Sequence, residues 1–213
     1  MTTIRPAAAA DLPVVRTACA LAYLENPLVR WALPDAATRA DACAAWLGPS
    51  LERYLEAGRV DVLTVDGQVV AVAAWRLPGA PGATPSTLPS SAGVLAALVG
   101  RTHAAHVLGA LGGAAALAPA RPGPYLNYLA VHPSHQGRGF GGRLLRHGLS
   151  AHGDDAGTPW LATTDPRNVP FYQRHGFTTT GTHRLGDDGP RLAVLHGTTT
   201  RRPGCAARDG TTA

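Results

Sequence analysis

The segment from Tyr125 to Leu145 constrains the fold more than any other part of this chain. Tyr125 to Val131 is a run of seven aromatic, β-branched and apolar residues that ends at His132-Pro133, the pattern of a strand. The next stretch places Gly137, Gly139, Gly141 and Gly142 close together, and Phe140 to Ala151 then has the spacing of an amphipathic helix. A strand, a glycine-dense turn and a helix in succession suit the binding of an anion. Glycine accepts positive φ and lets a ligand approach the backbone, while the first helical turn presents unpaired N–H groups and the positive end of its dipole. A phosphate or pyrophosphate fits such a place, and Arg138 and Arg143 add charge beside it.

Three readings of these glycines compete. They could simply make a tight strand-to-helix turn. Gly137, Gly139 and Gly142 also satisfy the G-x-G-x-x-G spacing of a dinucleotide fold, which would make the chain a reductase. Against that, His132 to Gln136 intervene between strand and glycines, hairpins precede the segment, and too little chain remains for a doubly wound sheet. A nucleoside-triphosphate loop is disfavoured because no Lys-Ser or Lys-Thr follows.

The rest of the chain supplies a mixed sheet. A short strand at Thr3 to Arg5 precedes a helix that Asp11 could cap, with Leu12, Val15, Ala18, Cys19 and Ala22 at helical spacing. A second helix opens at Asp35 or Thr38 and runs to Gly58, with a break expected at Gly48-Pro49. The period then becomes two: Val60 to Val65, the turn Asp66-Gly67 and Val69 to Trp75 form a hairpin. Pro78 to Ser91 reads as a surface loop, and Ala92 to Leu117 as a helix weakened or broken by its glycines. A strand at Pro159 to Thr164, a short helix at Val169 to His175, and strands at Phe177 to His183 and Pro190 to His196 follow. Hairpins first and strand-helix-strand units later predict an α/β or α+β domain over residues 1–197, its sheet covered by helices on both faces. Residues 198–213 read as a flexible tail.

Composition excludes little by itself. All 19 basic residues are arginine, and the net charge is +5. The arginines are scattered rather than clustered, so nucleic acid is not expected as a partner, while a small polyanion is. Cys19, Cys43 and Cys205 fit neither a disulfide framework nor a zinc site, and no segment has the continuous apolar length of a membrane span or export signal. The expected location is the cytoplasm, with reduced thiols. His103 and His106 stand three apart but have no third ligand nearby, so no metal site is expected.

Two motifs together resemble a known family. Gln136-x-x-Gly139-x-Gly141, directly after the strand and Val131-His132-Pro133, resembles the acyl-coenzyme A pyrophosphate loop of the GNAT acetyltransferase superfamily. Asn168-Val169-Pro170-Phe171-Tyr172-Gln173-Arg174-His175-Gly176-Phe177 resembles its later motif, an asparagine followed four residues on by tyrosine and then by Gly-Phe. The wording Arg167-Asn168-x-Pro170-Phe171-Tyr172 and the Val65 to Trp75 hairpin resemble the puromycin N-acetyltransferase-like members. The likeness covers Tyr125 to Phe177 well and, before Val60, extends only to layout.

This resemblance implies a GNAT fold with about six to seven strands and acetyl-CoA as acyl donor. Leu129, Ala130 and Val131 would bond the pantetheine arm, and the backbone of Gln136, Gly137, Arg138, Gly139, Phe140, Gly141 and Gly142 would hold the pyrophosphate. Asn168 would contact the donor near its reactive end. Tyr172 would protonate the departing thiolate, since a phenol is protonated at neutral pH. The acceptor would be a primary amine on a small molecule of antibiotic or secondary-metabolite type, in resistance or biosynthesis, attacking the thioester directly. A protein or peptide amine is the alternative, and a non-catalytic acyl-CoA sensor a further one. Tyr23, Trp31, Trp75, Tyr125 and Asn127, with the Ala92 to Leu117 segment, could line the acceptor pocket. The base is open between Glu25, Asp35, His132 and a water held by Asn127 and Tyr128. The chain is expected to be a monomer or homodimer.

Overall fold

The computed structural model describes residues 1–79, 90–153 and 156–198. Strands β1 (Thr2–Pro6), β2 (Arg59–Val65) and β3 (Gln68–Arg76) are antiparallel neighbours. The turn between β2 and β3 has Asp66 and Gly67 at φ 50° and 82°, which matches the right-handed twist of a tight hairpin. β4 (Pro122–Val131) pairs antiparallel with β3, and β5 (Thr158–Thr163) pairs parallel with β4. A parallel pair needs a crossover, which the helix over Phe140–His152 supplies. The hairpin of β6 (Phe177–Arg184) and β7 (Arg191–Gly197) completes a seven-stranded sheet of order β1-β2-β3-β4-β5-β7-β6. The mixed α/β sheet that the hairpins and strand-helix-strand units predict is therefore present.

Alternation along β3 divides two cores. Val72 and Ala74 face one side, against α1 (Leu12–Tyr23), α2 (Pro27–Ala32), α3 (Arg39–Ala57), α4 (Ser91–Val99) and α5 (Arg101–Gly112). Ala71, Ala73 and Trp75 face the other, against α6 (Phe140–His152) and α7 (Val169–Gln173). Among the described residues no helix is long and apolar enough to cross a membrane.

Local chemistry departs from the sequence expectations in three places. Helix α3 runs through Pro49 without a break. Proline inside a helix costs about 3 kcal/mol, but Trp46, Leu47 and Leu51 are buried on the same helix, each contributing about 1.5–3 kcal/mol. Asp11 does not cap α1. Its carboxylate accepts the Ala8 N–H at 2.8 Å and pairs with the Arg5 guanidinium at 2.6 and 2.8 Å, holding the β1–α1 corner instead. As expected of its glycines, the helical stretch from Ala92 to Leu117 is broken at Gly100, where φ is +84° and α5 begins. Helix α2 was not anticipated, although its signal was present: Asn26 accepts the Leu28 N–H at 2.9 Å, and Pro27 supplies a φ suited to the first turn. Residues 80–89 of the expected loop and 199–213 of the expected tail lie outside the described residues.

Candidate active site at the opening between two strands

β4 and β5 are paired only near their starts, at Pro122 with Thr158, Tyr125 with Trp160, and Leu126 with Leu161. Beyond this point β4 continues to Val131 alongside β3 alone. A register shift accompanies the parting. Ala74 faces Tyr128 while Trp75 faces Leu126, leaving Asn127 as the extra residue of a bulge.

The free edge of β4 has a definite polarity. The His132 N–H donates to the Val70 carbonyl at 2.8 Å, so alternation turns the Ala130 backbone groups to β3 and those of Leu129 and Val131 to the opening. Ala130 is thus already used by the sheet and is not available as the backbone contact expected of it. The Leu129 N–H donates to the Tyr23 hydroxyl at 2.9 Å, and the Gln136 side-chain amide donates to the Val131 carbonyl at 3.1 Å. Side chains therefore satisfy two of the four backbone groups that face the opening, the Leu129 N–H and the Val131 carbonyl.

Following β4, the glycine turn leads into α6. Gly137 and Gly139 have φ of 75° and 77°, and neither would meet anything within 4 Å if given a Cβ. Conformation rather than crowding requires glycine there. Gly139 is the N-cap of α6 and no side chain caps the helix, so the N–H groups of Phe140, Gly141 and Gly142 carry its positive end uncovered. A Cβ on Gly141 would make ordinary contacts with Val131 and Phe171, at 3.5 and 3.6 Å. Gly142 differs: its Cβ would lie 2.7 Å from His175 Nε2, so this glycine is needed for packing. Arg138 and Arg143 are exposed and form no ion pair among the described residues.

A cavity of about 470 Å³ lies at the opening, bounded by β4, β5, α1 to α3 and α5. Tyr23, Tyr125, Tyr128 and Tyr172, four of the chain's five tyrosines, line it, with Asn127, Leu129 and Asn168. Asn168 begins α7 and Tyr172 follows one turn later, which brings both to the same cavity. Tyr172 is 8% exposed, its ring between Phe171 and Phe177 at 5.1 and 6.1 Å. Burial pushes its phenol well above the usual range, with Tyr125 adding to the rise. Tyr125 is pushed up to about 12, chiefly by burial. The far wall is pinned to β5: Thr164 donates to Asn26 Oδ1 at 2.9 Å, fixing the start of α2 across the opening.

Two expected lining residues are elsewhere. Trp75 is fully buried on the opposite face of the sheet, where its indole nests over Gly148 of α6. Trp31 packs edge-on against His103 and His106 at 6.3 and 5.4 Å and is not in the cavity wall. The three side chains considered as base are also outside it. Glu25 faces Arg30 at 3.5 Å, Asp35 caps the turn before α3 through Ala37 and Thr38, and His132 Nδ1 lies 2.8 Å from the Ser134 hydroxyl. The lining includes no aspartate, glutamate or histidine among the described residues. Its charged members are Arg53 and Arg76, which sequence reasoning missed. Arg76 had a signal, being the one charge in the otherwise apolar run from Val69 to Leu77.

The family model for the acetyltransferase (GNAT) domain matches residues 98–179, the segment that contains β4, the glycine turn, α6, β5 and α7. A solved structure titled histone acetyltransferase HPA2 and related acetyltransferase, from Corynebacterium glutamicum, is similar at 24% identity and TM-score 0.67, over 95% of this chain and 99% of that one. The ribosomal-protein-S18-alanine N-acetyltransferase of Escherichia coli is similar at 18% identity and TM-score 0.54, over the whole of both chains. The C-terminal condensation domain of Ebony, solved with beta-alanyl-dopamine, is similar at 10% identity and TM-score 0.64, over 92% of this chain and 98% of that one. The chain thus has the GNAT fold, and its residues 98–179 match the acetyltransferase (GNAT) domain.

Proposed function

We propose that this acyltransferase moves the acetyl group of acetyl-CoA to the primary amine of a small molecule in the cytoplasm, by direct attack on the thioester. The reading is carried by one arrangement: the unpaired edge of β4 runs from an uncapped, glycine-led helix start to the cavity that Tyr172 lines. An anionic diphosphate suits the main-chain amides from Gly137 to Gly141, and the pantetheine amides suit the Leu129 N–H and Val131 carbonyl once Tyr23 and Gln136 release them. In the transfer, the new C–N bond forms as the C–S bond breaks. The Tyr172 hydroxyl gives its proton to the departing thiolate, and the nitrogen proton leaves to solvent. A raised phenol pKa keeps that proton in place at neutral pH.

With no carboxylate or imidazole among the described residues of the lining, the acceptor that fits reaches the cavity neutral, as an aromatic amine or a weakly basic α-amino group does. The volume is that of a small-molecule site, which favours a small amine over a protein. Release of coenzyme A thiol from acetyl-CoA on adding a panel of amines tests the proposal. Thiol release with small amines, and its loss in Tyr172→Phe with acetyl-CoA binding retained, supports it. Release only with peptides moves the acceptor to a protein amine, binding without release makes the chain a sensor, and stabilisation by NADPH or FAD instead of acetyl-CoA overturns the reading.

A further inference from the structure

We propose that the acceptor carries a carboxylate as well as its amine, on an aromatic frame, and that Arg53 and Arg76 receive this carboxylate at the mouth of the cavity. The inference rests on the acetyl-transfer reading and specifies its substrate.

Both guanidinium-bearing residues line the cavity and both are exposed, so they stand at its entrance rather than in its depth. They belong to different elements, Arg53 to α3 and Arg76 to the end of β3. Yet they act on the same phenol: both cations oppose the rise that burial imposes on Tyr54. Neither forms an ion pair among the described residues, and the segment 80–89 that follows Arg76 in the sequence contains no acidic residue to neutralise it. Among the described residues the lining therefore offers two positive charges and no negative one. A polycationic acceptor would be repelled there, whereas a carboxylate would gain charge-assisted hydrogen bonds.

Aromatic surface lies directly beside the charge. The Arg76 guanidinium carbon is 4.9 Å from the Tyr125 ring centroid and 6.0 Å from that of Trp160, and the two rings are 4.4 Å apart. This cation–π contact holds the Arg76 guanidinium beside Tyr125 while its N–H groups remain donors. A flat acceptor that rests on Tyr125 and points its carboxylate outward would present an amine toward the interior, where Tyr172 stands. An arylamine also meets the requirement of arriving neutral.

The test compares 3- and 4-aminobenzoate with their methyl esters, whose amines are likewise neutral at pH 7, so that amine protonation does not distinguish the pair and the double variant corrects for the ester's weaker nucleophilicity. The expected result is that kcat/KM favours each acid over its ester by roughly tenfold or more, and that the ratio collapses toward one in the double variant Arg53→Gln, Arg76→Gln. A second readout needs no turnover: with coenzyme A present, benzoate should raise the melting temperature of the wild type and not that of the double variant. Esters used as well as acids, or an unchanged acid preference in the double variant, overturn the inference while leaving acetyl transfer standing. Absence of any benzoate effect overturns it equally. If no amine of any kind releases thiol, the acetyl-transfer reading fails, and the benzoate shift still reports separately on the arginines.

Discussion

The Tyr23 hydroxyl accepts the Leu129 N–H at 2.9 Å, so a side chain of the first helix occupies a backbone donor that the parting of β4 and β5 leaves without a strand partner. A buried amide with no acceptor would cost about 1–3 kcal/mol, which the phenol prevents in the ligand-free chain. A donor substrate that uses the same N–H must displace it. Tyr23→Phe is therefore expected to lower the melting temperature of the free protein and to enlarge the rise that acetyl-CoA produces. Calorimetric scans with and without acetyl-CoA check this; an undiminished free-state stability together with an unchanged ligand shift would show that Tyr23 and the donor do not compete.

Tyr172→Phe should reduce kcat by about 10²–10⁴-fold, the range for losing a positioned proton donor, with little change in acetyl-CoA affinity. Steady-state kinetics beside a binding titration separate the two effects.

The pH profile follows from the same phenol. A general acid fails when it deprotonates, so a raised pKa moves the descending limb to higher pH. kcat/KM for an aliphatic amine should climb with pH as the amine loses its proton and show no fall attributable to Tyr172 up to about pH 10. For an arylamine the profile should be flat across neutrality. A descending limb near pH 8 would assign the acid to another group.

Gly148→Ala tests the packing that takes Trp75 away from the cavity. The added Cβ would clash with the Trp75 indole, and overpacking of this kind costs about 1–3 kcal/mol. Urea unfolding should show that loss. An unaffected midpoint would mean that the indole has room to move.

Asp11 is held down to about 2 by its hydrogen bond with Arg5, below the ordinary carboxylate value of 3.8. A depressed folded-state pKa contributes stability above the unfolded pKa and loses it as pH falls through the folded one. Because Arg5 is partly exposed, the contribution at pH 7 is about 1 kcal/mol or less. Asp11→Asn should show that deficit at pH 7, shrinking between pH 4 and pH 2.

What could be read in the sequence was what local chemistry decides. Asp66-Gly67 specified its hairpin because a two-residue turn of matching twist needs adjacent residues that accept positive φ, and Asn168 and Tyr172 line one cavity because one helical turn separates them. The glycines from 137 to 142 marked the start of α6, yet their spacing alone did not separate Gly139, which conformation requires, from Gly142, which His175 requires. Trp75 was misplaced because β3 is buried on both faces, so no polar alternation told which side the indole would take. Ala130 could not be distinguished from Leu129 and Val131 without the register to Val72. The pairing of Arg53 with Arg76 joins a helix to a distant strand end, a relation that no spacing rule encodes.

A crystal structure with acetyl-CoA tests the central claim most directly. The diphosphate is expected against the main-chain amides of Gly137 to Gly141, the pantetheine along the β4 edge with Tyr23 turned away from Leu129, and the thioester sulfur beside the Tyr172 hydroxyl. A nucleotide bound elsewhere, or one bound here with its thioester remote from Tyr172, would contradict it.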